Sequence, residues 1–248
     1  MKKKDHLSYS ALSAFKKSPN HLLAYWNKTF KPTDAMDFGR LIHKLILQPE
    51  TLNYEFAVFE GENKRTKKWK EFKKLNEEKG KTPMLLTQVE DANKIIQNAM
   101  KNKVFNEMIQ NATAVEKELN WNHKGVKFKG YADMISKYNN KKCVIDIKTT
   151  TDASRRFERD LMYNDYKMQL AMYTESFVGV EMDAYVVAIE TKLPFNVQVY
   201  KLNETLLHKG CMDYEHYTTK YNEWDGKAEG YRKDIIEVYA DIKEITPV

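Results

Sequence analysis

Cysteine is scarce in this chain: Cys143 and Cys211 are the two among 248 residues. Two thiols build no disulfide framework, no iron–sulfur cluster and no cysteine-based zinc site, and a reducing cytoplasm suits them. The 9 glycines and 6 prolines are also few, so neither a long flexible linker nor a disordered tail is expected. No apolar run approaches the ~18 residues of a membrane-spanning helix. Met1-Lys2-Lys3-Lys4 is basic, but no apolar core follows it to make a signal peptide. Neither secretion nor a membrane partner is expected, and the expected location is cytoplasmic.

Arginine is rare as well, since lysine supplies 35 of the 41 basic residues. Three of the six arginines, Arg155, Arg156 and Arg159, fall together, and their planar guanidinium forks suit phosphate. The net charge of +6 and the pI near 8.9 have the sign that attracts a polyanion, although a merely lysine-rich composition gives the same balance. With 42% hydrophobic and 31% charged residues, the chain is long enough to bury a real core. It reads as one domain with a mainly helical part over 1–110, a sheet with helices over 111–202 and a helical part over 203–248.

The most informative stretch is 130–150, GYADMISKYNNKKCVIDIKTT. Residues 126–135 and 143–147 read as strands separated by the polar turn Asn139-Asn140-Lys141-Lys142. Strand period puts Asp146 and Lys148 on one face, at the edge or end of a sheet, and sends Cys143, Ile145 and Ile147 into the core on the other. That pair suits metal-assisted hydrolysis of a phosphodiester. Asp133 and Asp146 can share one Mg²⁺, with the Ile147 backbone carbonyl as a further oxygen ligand. Lys148 then holds or deprotonates the attacking water and offsets transition-state charge. Asp/Glu-x-Lys also occurs at Glu71/Lys73, Asp165/Lys167, Glu190/Lys192, Asp225/Lys227 and Asp241/Lys243, but in polar or helical contexts.

The N-terminal quarter reads as helical. LSYSALSAFKKSP gives a short helix capped by Ser8 or Ser10, Ser18-Pro19 opens a second, and a third starts near Thr33 or Asp34. On the third, Gly39 lies one turn from His43, off the apolar stripe, and clears space beside it. That histidine is either a plain polar residue or a functional one. Residues 63–74, NKRTKKWKEFKK, interleave Trp69 and Phe72 with Arg65, Lys67 and Lys68. The segment is either a solvated helix face or a DNA contact in which lysines meet phosphates and a ring stacks near a strand end. Thr87-Gln88-Val89-Glu90 reads as a capping box. Residues 113–121 alternate as a strand, with Val115, Leu119 and Trp121 on one face and Glu116 and Glu118 on the other. Pairing with 126–135 brings Glu116 or Glu118 near Asp133 as a third carboxylate, Glu116 being favoured. YKMQLAMY sets Gln169 and Tyr173 on one helix face, able to orient a water, a lysine or a phosphate.

LSYSALSAFKKSP, GRLIHKLIL, KGYAD, VIDIKTT and QLAMY occur in the order and at roughly the spacing of the RecE-type phage and prophage exonucleases, the exonuclease VIII family, which the chain resembles over nearly its whole length. The resemblance implies an α/β fold with a PD-(D/E)xK nuclease core: a mixed central β-sheet flanked by helices, with helical N-terminal additions. It implies Mg²⁺-dependent digestion of linear double-stranded DNA from 5′ ends, with Mn²⁺ able to substitute. A ring-like tetramer or trimer and a single-strand annealing partner in phage recombination are implied too. Residue by residue, His43 matches the family's helix histidine, Asp133 and Asp146 its metal-binding aspartates, Lys148 its lysine, and Gln169 and Tyr173 its Gln-x-x-x-Tyr helix. The family's Pro-Asp is Ala132-Asp133 here. An endonuclease, or a catalytically silent protein that binds DNA ends, are the alternatives on the same fold.

Overall fold

The structure is a computed structural model that describes residues 3–28, 31–61 and 63–227. The expected helical part over 203–248 lies outside the described residues beyond 227. The chain begins with helices α1 (Tyr9–Lys17), α2 (Pro19–Trp26) and α3 (Asp34–Leu47). Their starts follow from side-chain caps: Ser8, Ser18 and Thr33 hydroxyls accept from the N–H groups of Ala11, His21 and Met36 at 3.2, 3.2 and 3.3 Å. Each such cap stabilises its helix by about 1 kcal/mol, and Ser8 rather than Ser10 opens α1.

Next come α4 (Leu52–Glu55), β1 (Phe56–Phe59), α5 (Lys67–Glu78), β2 (Thr82–Leu85), α6 (Leu86–Ala99) and α7 (Lys103–Gln110). The part expected to be mainly helical therefore contains a small sheet, in which β1 and β2 run parallel. Pairing of Leu85 with Phe59 carries the strand up to residue 85 and starts α6 directly after it. The capping box expected at Thr87 is displaced for this reason: the Gln88 side chain accepts from the Leu85 N–H at 3.1 Å instead.

The main sheet has β3 (Ala114–His123), β4 (Val126–Tyr138), β5 (Lys141–Thr150), β6 (Asp183–Glu190) and β7 (Val197–Lys201), in that spatial order. All neighbours are antiparallel except β5 with β6. A parallel pair needs a crossover connection, here α8 (Arg155–Tyr163) and α9 (Tyr166–Glu175); α10 (Glu204–Glu223) follows β7. The turn between β4 and β5 is narrower than expected, because Asn139 and Asn140 both take positive φ, 49° and 61°, the conformation of a two-residue hairpin turn.

Each face of the sheet carries its own core. Val144, Val186 and Phe128 pack with α1, α2, α9 and α10, while Ile145, Ile147 and Val187 pack with α3, α6 and α7. Strand β5 is thus buried on both faces and central, so Asp146 lies inside the sheet and not at its edge. One expectation about β3 fails. Glu116 has φ 46°, and across it Val115 joins the second core whereas Leu119 and Trp121 join the first. A left-handed residue breaks strand alternation, so Val115 does not share a face with Leu119.

The β4–β5 ladder runs only from Tyr138↔Lys141 to Met134↔Ile145. Beyond that point the edge of β4 is taken up by Leu7, whose N–H donates to the Lys127 carbonyl and whose carbonyl accepts from Lys129 N–H, both at 2.9 Å.

Candidate active site

The site lies where β4 and β5 stop pairing. Asp133 and Asp146 are the next residues on each strand, and the Asp133 carboxylate accepts from the Ile147 N–H at 2.7 Å. Asp146 is 2% exposed. The Lys148 ammonium stands 2.6 Å from Asp146 Oδ2, an ion pair that is the partner of this buried oxygen. The other Asp146 oxygen accepts from Gln169 Nε2 at 2.8 Å, and the same nitrogen is 3.3 Å from the Tyr173 hydroxyl. Helix α9 holds both groups because it is buried from Lys167 through Tyr173.

Helix α3 brings His43 over the other aspartate, Nδ1 to Asp133 Oδ2 at 3.6 Å. Gly39 has a role beyond the one expected. A Cβ there would come within 2.7 Å of Thr149 Oγ1, so the glycine lets α3 settle directly on β5. Glu116 lines the cleft over these groups and Glu118 does not. Burial, then the charge of Asp133, raises the Glu116 carboxyl above its ordinary pKa, opposed by His43 and Lys44. Glu118 is instead tied at the surface to Lys129, Asn120 and Tyr131.

Electrostatics separate the roles of the buried pair. Burial raises the pKa of Asp146, against the pull of Lys148, and Asp133 raises it further. Burial works to lower the Lys148 ammonium, but Asp146 and Asp133 together outweigh it and hold its pKa above that of an ordinary lysine. The Lys148 ammonium also stands 5.0 Å from the centre of the Tyr166 ring. Burial and then Asp146 push the Tyr173 phenol up to about 12, so it remains a neutral phenol, and its oxygen accepts from Gln169.

Among the described residues, no three His, Cys, Asp or Glu side chains form a ready cation cage. Mg²⁺ keeps several waters and needs only one or two carboxylates. The carboxylates of Asp146 and Glu116, each close enough to Asp133 to feel its charge, make with it a donor set of hard oxygens that fits such an ion.

The cleft over these groups has a volume of about 740 Å³ and is lined by Met36, Gly39, Arg40, His43 and Lys44 of α3 and Gln48 just after it, with Glu116, Ile147 and Lys148 also on its wall. Arg40, Lys44 and Tyr166 were not singled out from sequence. The available signal was the polar i, i+3, i+4 face of α3 that carries His43. The other expected DNA contacts are not in the cleft. Arg155, Arg156 and Arg159 are exposed on α8, and Arg65, Lys67 and Lys68 are exposed before and on α5; none lines the cleft. Trp69 is a correction. It is 4% exposed and packs on Phe59 and Phe72, with ring centres 5.5 and 6.1 Å away, because the apolar face of α5 covers β1. Its ring is not free to stack on a base.

No curated protein matches the chain. A solved structure from Eubacterium rectale, provisionally described as an exonuclease, aligns with a TM-score of 0.60 at 14% identity, over 87% of this chain and 79% of that one. A second, of the protein SSO0001, covers 70% of this chain and 73% of its own at 23% identity, with a TM-score of 0.31. The first likeness supports the fold: a mixed sheet flanked by helices. The family described as a PDDEXK-like domain of unknown function, DUF3799, matches residues 8–231, and the chain belongs to that family.

Proposed function

We propose that this protein is a metal-dependent exodeoxyribonuclease that hydrolyses phosphodiester bonds of linear double-stranded DNA in the 5′ to 3′ direction and leaves 3′ single-stranded tails. The observation that carries the reading is the buried Asp146 carboxylate paired at 2.6 Å with Lys148, whose side chain lines a cleft edged by Arg40 and Lys44. Asp133, Asp146, Glu116 and the Ile147 carbonyl would hold Mg²⁺, or Mn²⁺ in its place. Such an ion, when bound, lowers the pKa of water and polarises the scissile phosphate.

The remaining steps fall to this chain's own side chains. We assign Lys148 to the attacking water, which it holds or deprotonates, and to compensation of transition-state charge. Gln169 holds Asp146 in place, and Tyr173 supports Gln169. His43 holds Asp133. Arg40 and Lys44 meet the phosphates at the cleft mouth, while Arg155, Arg156 and Arg159 contact duplex farther from the site. By resemblance to the RecE-type exonucleases, the tails would pass to a single-strand annealing protein in phage recombination, and the enzyme would work as a ring-like trimer or tetramer.

The test uses end-labelled linear duplex and a covalently closed plasmid, each with and without Mg²⁺. Linear DNA should be degraded to mononucleotides and single strand only with the ion, and the closed plasmid should stay intact. Activity should fall as added salt screens phosphate contacts. Linearisation of the plasmid at a comparable rate would replace the exonuclease reading with an endonuclease. No cleavage of any DNA with intact end binding would leave the silent end-binding protein.

A further inference from the structure

A second cavity, of about 470 Å³, adjoins the site and plays no part in the steps above. It is lined by Lys4 and His6 of the N-terminal segment, Tyr9 of α1, Tyr25 and Trp26 of α2, and Lys129, Gly130 and Tyr131 of β4, with Tyr173 among its walls. Two side chains connect it to the chemistry. Tyr131 borders both this cavity and the active-site cleft. Tyr173 borders it too and reaches Asp146 through Gln169. Gly130 makes room for that contact, since a Cβ there would lie 2.8 Å from the Tyr173 ring.

The lining combines two properties. Tyr25 and Tyr131 are 45% and 47% exposed, so part of each ring is accessible from the cavity they line. The Tyr131 ring is held in place: its hydroxyl donates to Glu118 at 2.8 Å, the same carboxylate that pairs with Lys129 at 2.8 Å. The Lys129 ammonium lies 5.5 Å from the centre of the Tyr131 ring, and that of Lys4 lies 5.6 Å from the centre of Trp26. Rings that offer faces to bases, interleaved with lysines that offer charge to phosphates, are what an unpaired strand requires. The volume is that of a small-ligand site, enough for a nucleotide or two and too small for a duplex.

We propose that this cavity binds an unpaired nucleotide of DNA, with its base on Tyr131 and Tyr25 and its phosphate near Lys4 and Lys129. Resting on the nuclease reading, this makes Tyr131 the divider between the strand in the cleft and an unpaired nucleotide beside it, with Glu118 as the positioning residue for its ring.

The test is fluorescence anisotropy with a labelled single-stranded hexanucleotide, in the full chain without divalent metal so that nothing is cleaved. Tyr131→Ala and Tyr25→Ala should each weaken hexanucleotide binding about 10-fold or more, as expected for loss of one stacked base. Tyr131→Phe, which keeps the ring, should bind within about threefold of wild type, and thermal melts confirm that each variant folds. Unlabelled deoxyadenosine monophosphate is the competitor: displacement of the hexanucleotide at equal concentration assigns the site to released product, and no displacement assigns it to the strand. Binding by both alanine variants within twofold of wild type would overturn the proposal. Cleavage of blunt duplex in Mg²⁺ is read separately. Tyrosine-dependent binding without cleavage would keep this site and refute the nuclease, and cleavage with unaffected binding would do the reverse.

Discussion

The two ends of the β4–β5 hairpin share a sequence register and behave differently. Toward the turn, Met134 to Tyr138 pairs with Lys141 to Ile145 in regular ladder, and Met134 and Ile145 are fully buried in apolar surroundings. One residue beyond, the ladder stops, and two carboxylates, an ammonium and a histidine occupy the opening. The Ile147 N–H, which a continued strand would bond to backbone, goes to Asp133 instead. One half of the hairpin stabilises the fold, and the other half gives up ladder bonds to hold charges that water would otherwise solvate.

This contrast predicts that substitutions in the two halves separate activity from stability. The largest effect is expected at the open end: Asp146→Ala or Lys148→Ala should reduce cleavage by about a thousandfold or more, ~4 kcal/mol in transition-state terms, while DNA binding persists. A variant retaining activity within about tenfold of wild type would remove Asp146 from the site. Chelation by EDTA should abolish cleavage in the unmodified protein, and added Mg²⁺ should restore it. At the paired end, Ile145→Ala should cost about 2–5 kcal/mol of stability by opening a cavity. Its turnover per folded molecule below the melting transition should be unchanged.

His43→Ala tests how far the open end extends. A rate loss of about 10–100-fold, typical for a group that orients a ligand carboxylate, is expected with nearly unchanged DNA affinity and melting temperature. Loss of folding without a specific rate effect would move His43 to the structural half.

The smallest effect concerns Glu116, whose carboxyl is raised by burial and by Asp133. A raised folded-state pKa favours the protonated form, so stability tied to this group is present below the unfolded value of 4.5 and declines as pH rises through the folded one. Glu116→Gln should therefore melt slightly higher than wild type at pH 7, with the gain vanishing below about pH 4, and its cleavage should fall. Equal melting at both pH values would show that Glu116 is solvated like Glu118.

Period-two patterning was sufficient to read the alternation along β5. It placed Cys143, Ile145 and Ile147 in the core and Asp146 with Lys148 on the other face, because both faces of β5 are covered and each residue type matches its side. The Gln169 and Tyr173 face was legible from four-residue spacing alone. The open half was only partly legible. Nothing in the residues around Glu116 announces a left-handed backbone, so Val115 was assigned to the wrong face. Trp69 looked available because lysines surround it in sequence, but β1, the strand it covers, is four residues long and gives no clear alternation. Arg40 and Lys44 were passed over because their face of α3 was judged by its histidine alone.

The contact between Gly39 and Thr149 limits the order in which this pair of positions can change. Any side chain at 39 meets Thr149 Oγ1 at 2.7 Å, and threonine is β-branched, with little rotamer freedom to retreat. Gly39→Ala alone should push α3 away from β5 and take His43 with it, whereas Thr149→Ala alone removes the obstructing oxygen. The alanine at 39 becomes tolerable only after the change at 149, so the two substitutions should be non-additive in a double-mutant cycle. A lineage of such proteins could reach the alanine–alanine pair through one intermediate and not the other.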